Sequence, residues 1–169
     1  LQSLSEEAYK FYERLKRLPK QRKRLQELNE FMLLKALRNY SVHTGEFYGK
    51  AYALKEDFAV KHKLDLLRVC LIDKKIVSAA INAEKPLAYG EKDKILRIQS
   101  QLVDFGDYYN IEPVIFNFIV KIYEIIISLN LTTPGEGFLS IDKSYKNELY
   151  YNFPHYVPLV NISVSTEEV

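Results

Sequence analysis

The fold turns on how LLRVCLIDKKIV, residues 66–77, is read. It is an apolar run holding the only cysteine, Cys70, and three residues later one acid, Asp73. Plotted at about 100° per residue, Asp65, Arg68, Lys75, Ser78 and Asn82 gather on one side of a helix. Asp73 falls on the opposite, apolar side with Leu66, Cys70, Val77 and Ala80. The stretch therefore predicts a helix with Cys70 and Asp73 as buried polar groups. A carboxylate in that setting must be hydrogen-bonded or paired, or its pKa must rise. Asp73 is then either a raised-pKa acid or a structural carboxylate held by backbone N–H groups or a neighbouring lysine. No second catalytic group stands nearby in the sequence, which favours the structural role.

Outward from this stretch, helical periodicity continues. Leu4, Ala8, Phe11, Leu15 and Leu18 recur every three or four residues, which predicts a helix over 4–18. Ser5 is its expected N-cap, and Pro19 its end. A second helix is expected over about 20–40, with Leu25, Leu28, Met32 and Ala36 on one stripe. The glycines of SVHTGEFYG, residues 41–49, break it, and a third helical segment should start near Lys50, with a bend at 61–63. After a break at 84–90, Glu91 to Gly106 reads as a helix with Ile95, Ile98, Leu102 and Phe105 inward. YYNIEP, residues 108–113, reads as a short connection.

Residues 112–130 form the most apolar helix. Its polar residues Asn117, Lys121, Glu124 and Ser128 are spaced four, three and four, so they form one narrow stripe. Such a helix is buried nearly all round or lies in a membrane. Two charges in the run argue against a span, since each costs roughly 2.5–3.5 kcal/mol at the bilayer centre. Beyond TTPGEG, residues 132–137, the pattern weakens. One short helix near 144–151 and a strand-like stretch after it are expected.

With 47% hydrophobic residues the chain can bury a sizeable core, and 24 Lys and Arg against 22 Asp and Glu imply no nucleic-acid partner. One cysteine excludes an intrachain disulfide framework and a cysteine-based zinc site. His43, His62 and His155 share no metal-ligand spacing, so neither a metal nor a cofactor is expected. TPGEG lacks the Lys-Ser/Thr of a P-loop. No catalytic residue is assigned.

The densest charge signal is RLKRLPKQRKR, residues 14–24. Seven of these eleven residues are basic: Arg14, Lys16, Arg17, Lys20, Arg22, Lys23 and Arg24. Pro19 makes a corner, so the charges fan out around a helix junction. They suit an acidic protein partner or an anionic membrane surface. No aromatic interleaving supports nucleic acid.

In order, LSEEAYKFYERLKRLP (4–19), LLRVCLIDKKIV, YGEKDKILRIQSQL (89–102) and IYEIIISLNL (122–131) resemble the DotU/TssL family of type VI secretion systems. That family carries a central motif of the form Leu-Cys-Ala-x-x-Asp-Glu. Cys70, Ile72 and Asp73 resemble it here, with one residue fewer between Cys and Asp, and Lys74 stands in place of Glu. The resemblance covers residues 4–140. It implies a non-enzymatic, all-α domain of two small packed three-helix bundles at the cytoplasmic face of a bacterial inner membrane. The anchor would lie beyond this chain. The implied partners are proteins of the secretion membrane complex or baseplate, docked through the basic corner, and a homodimer is a further option. On this reading residues 1–140 are the helical bundle and 141–169 an irregular C-terminal segment.

A second resemblance, over 91–130, is to the last two helices of helical chorismate mutases, with Lys74 and Lys85 imitating that site's cations. Ile127 and Leu131 stand where that family presents polar contacts. An unrelated helical adaptor for an acidic partner is the third option.

Overall fold

A computed structural model describes residues 2–45, 49–53, 68–84, 92–131 and 135–157. The chain is predominantly helical, as the periodicity predicts. Helix α1 spans Gln2–Arg14 and tightens into a 3-10 turn at Leu15–Arg17. Ser5 therefore lies inside the helix instead of capping it. Pro19 opens α2, Pro19–Glu27, at the position where a missing N–H costs nothing. The expected second helix is in fact two: Leu28 is extended (φ −74°, ψ 123°) and separates α2 from α3, Asn29–Thr44. Gly45, at φ 69°, ends α3 in the left-handed conformation and returns its N–H to the Ser41 carbonyl at 2.9 Å.

The departure from helix lies in the opening stretch. Residues 68–73 are a strand. Strands β1 (Gly49–Ala53), β2 (Arg68–Asp73), β3 (Val103–Phe105) and β4 (Tyr108–Asn110) form one antiparallel sheet in the order β1-β2-β4-β3. Val69 and Leu71 pack with Val103 and Phe105 on one side. Cys70 and Ile72 face the helical core on the other. A strand covered on both faces reads as a continuous apolar run, and periodicity cannot separate it from a buried helix. The helix expected from Lys50 is likewise strand β1, paired with β2 in the register Ala51↔Cys70. The helix expected over 91–106 stops as α5, Lys92–Ser100. Residues 103–110 then form a hairpin turning at Gly106 (φ 60°) and Asp107. Glycine suits the positive φ at the first turn position.

Helix α4, Lys74–Ala83, leaves β2 directly. Helix α6, Glu112–Ser128, leaves β4 through Ile111 alone. Helix α7 runs Glu136–Tyr151. The expected boundary at residue 140 thus falls inside a helix, and the short helix near 144–151 is the second half of a 16-residue one. Two core clusters share α3 and α6. One joins them to β2, α4 and α5 around Ile72, Val77, Ile81 and Val114. The other joins them to α1 and α2, with Phe31 stacked on Phe118 at 6.3 Å. No helix among the described residues is long and apolar enough to cross a membrane. The bend at 61–63, the break at 85–90, His62, Lys85 and the chain after 157 lie outside the described residues.

Candidate functional site

Helix α6 organises the polar side of the molecule. Its N-terminus is fixed by Asn110, whose buried side-chain oxygen accepts from the N–H of Cys70 at 3.0 Å and of Glu112 at 3.1 Å. One amide thus ties the end of β4 to β2 and satisfies a helix N–H that would otherwise lack an acceptor. From that fixed start the four-three-four spacing carries Asn117, Lys121, Glu124 and Ser128 along one stripe.

Each residue of the stripe has a partner. Asn117 is buried; its Nδ2 donates to the Val157 carbonyl at 3.1 Å, and its Oδ1 accepts from the Val157 N–H at 2.9 Å. Lys121 donates to Glu30 Oε1 of α3 at 2.7 Å, and Glu30 is only 5% exposed. Glu124 accepts from the phenols of Tyr145 at 3.1 Å and Tyr156 at 2.7 Å. Ser128 returns to the Ile125 carbonyl. His155 stacks on Tyr145, ring centres 3.9 Å apart and 7° from parallel, and its Nδ1 meets Glu148 at 2.8 Å. Residues 152–157 therefore form a strap lying back over α6, starting at Asn152, which ends α7 at φ 55°.

The tyrosines of this region titrate late. Burial, and then the bond and charge of Asp142, push the Tyr123 phenol up to about 12. Tyr145 and Tyr156 are also raised, by burial first and by Glu124 second. Asp142 is held low by its bond to Lys146, with Tyr123 adding to it.

The residues singled out by sequence are spread over three places. Asp73 ends β2 and is the N-cap of α4, accepting from the Lys75 N–H at 2.6 Å. It is half-buried at a strand–helix junction, away from the apolar helix face on which it was expected. Cys70 is half-buried in β2 against the helical core, and burial pushes its thiol pKa up. The basic corner forms around Leu18 and Pro19. Lys16 pairs with Glu13, and Lys23 approaches Glu27 at 3.9 Å. Arg22 lies over the Tyr12 ring at 4.3 Å and reaches Glu13 at 3.6 Å. Arg14, Arg17, Lys20 and Arg24 are exposed.

Lys74 and Asp104 form one ion pair at 2.6 Å between α4 and β3. Sequence reasoning passed over Glu30 and Glu84. Glu84, just past α4, is buried with Lys35 and Asn39 on its two oxygens beside a cavity of ≈580 Å³ between α3 and α4. An acid next to an apolar helix face, as Glu30 is beside Phe31, was the available signal. Compared with known protein families, curated proteins and solved structures, the chain matches none.

Proposed function

We propose that this chain is a non-enzymatic protein-binding domain that docks an acidic partner on the corner between α1 and α2. The observation that carries this reading is the state of the charges. The buried acids Glu30 and Glu84 each hold a lysine of their own chain, as does Asp104. At the corner, Arg14, Arg17, Lys20 and Arg24 project into solvent from one eleven-residue stretch. A single-sign cluster of this kind steers an oppositely charged surface and sets its register more than it adds affinity. The narrower form of the reading, a place in a type VI secretion membrane complex, is supported by the resemblance of residues 4–140 alone.

The test replaces Arg17, Lys20 and Arg24 by Glu together. These three avoid Arg22, which packs on Tyr12. The expected outcome is a stoichiometric partner recovered by the parent chain at low salt. That partner should be lost from the variant, and lost from the parent as salt shortens the screening length to below about 8 Å. A partner retained equally by the variant at low salt would dismiss the corner.

A further inference from the structure

The strap over α6 has the chemistry of a bound peptide. Asn117 both donates to and accepts from the main chain of one residue, Val157. A side-chain amide used this way pairs with an extended backbone as a neighbouring strand would, whatever side chain that residue carries. The two residues before it are read by their side chains. Tyr156 places its hydroxyl on Glu124 and its ring 5.8 Å from the Lys121 ammonium, and His155 is held between the Tyr145 ring and Glu148. Two consecutive residues, Tyr156 and Val157, are thus anchored on α6 through Asn117, Lys121 and Glu124, while His155 is anchored on α7 itself.

The segment they hold is by contrast lightly attached. Helix α7 has no buried residue along its whole length, and it ends in exposed Leu149, Tyr150 and Tyr151. An element with so little buried apolar contact opens locally at low free-energy cost.

We propose that the polar stripe of α6 is a peptide-capture site, filled here by the chain's own Tyr156 and Val157 and able to take the same two residues from a second copy. The stripe holds a tyrosine by its side chain and the next residue by its main chain, and a second copy supplies that order at the end of its own α7, on which His155 stays seated between Tyr145 and Glu148. Exchange is reciprocal, tail into groove and groove over tail, so it closes on a two-fold axis as a dimer. The chain's own strap competes from an effective concentration of order millimolar, which keeps dilute protein monomeric. Arg24 of the basic corner lines the same pocket as Lys121, Glu124 and Tyr156, whereas Arg17 and Lys20 do not, so replacing Arg17 and Lys20 alone by Glu tests the corner without touching this site and either proposal can fail alone.

The test uses two full-length variants. His155→Ala with Tyr156→Ala breaks the strap and leaves the groove; Asn117→Leu breaks the groove and leaves the strap. Each alone is expected to sediment as a monomer. Mixed in equal amounts, they should give a complex of about twofold mass, one sound groove holding one sound strap. A mixture that stays monomeric, with both chains folded by circular dichroism, overturns the proposal. So does self-association of the strap variant alone, which would place the contact elsewhere. If Asn117→Leu does not fold, Asn117→Asp keeps the size, removes the donor and sets a negative charge against the Val157 carbonyl.

Discussion

Two apolar runs of this chain, residues 68–73 and 112–128, take opposite secondary structures. Helix α6 is long enough to show its period: polar residues at 117, 121, 124 and 128 mark one stripe, and only a helix lines them up. Strand β2 is six residues long and is buried on both faces: Val69 and Leu71 share one face of the sheet with Val103 and Phe105, and Ile72 packs into the helical core on the other. Its side chains have no wet face to alternate against, so its run carries no period. The contrast teaches that an apolar run declares its structure through where its polar residues fall. The shorter and better covered the run, the less it declares.

The two runs can be set against each other by truncation. Phe118→Ala on α6 should cost about 3–5 kcal/mol, and Ile72→Ala on β2 about 2–5 kcal/mol, since both side chains are buried. Urea unfolding of the two variants measures this. A loss below 1 kcal/mol for Ile72→Ala would show that the sheet is peripheral to the core and that α6 alone carries it.

That contrast also explains what was legible beforehand. The helical class, α6 with its polar stripe, and the corner at Pro19 are local patterns, and each is present in the structure. The sheet is not local. β2 pairs with β1 through the register Tyr52↔Val69 and with β4 through Leu71↔Asn110. Contacts so far apart in the chain leave no mark within one window of residues. The strap was hidden for a related reason: the partners of Asn117 and Glu124 lie 40 and 32 residues on, so the stripe was visible but not what covers it.

The polar stripe offers a second, smaller comparison within α6. Lys121→Ala leaves the Glu30 carboxylate buried without its cation, and one of its oxygens already has no hydrogen-bond partner among the described residues. A loss of about 1–3 kcal/mol is expected. The double variant with Glu30→Gln should recover part of it, because the uncompensated charge is then gone. Equal losses in the single and double variants would mean that the pair contributes through packing alone.

The same region should respond to alkali. Tyr123 releases its proton near 10 in the unfolded chain but is held up to about 12 in the fold. A folded-state pKa above the unfolded one gives stability that is full below pH about 10 and is lost as pH rises through about 12. Tyr145 and Tyr156 shift in the same direction. Chemical denaturation at pH 9 and at pH 11.5 is expected to show the fall, and Tyr123→Phe to flatten it. A variant that falls as steeply as the parent would assign the alkaline transition to other groups.

Asp73 closes the comparison, because it stands where the strand stops and the helix begins. Its carboxylate accepts from the Lys75 N–H, and the Lys74 N–H bonds the Asp107 carbonyl of the hairpin turn at 3.0 Å. Two of the first helical N–H groups are thus satisfied from outside α4, and the acid sits at the positive end of the helix. Asp73→Ala should therefore cost about 0.5–2 kcal/mol, and Asp73→Asn, which can still cap, distinctly less. A working acid would behave differently: Asn would be as harmful as Ala to any turnover while stability stayed untouched. Measured side by side, the two variants separate a cap from a catalyst at the residue where the sequence left both readings standing.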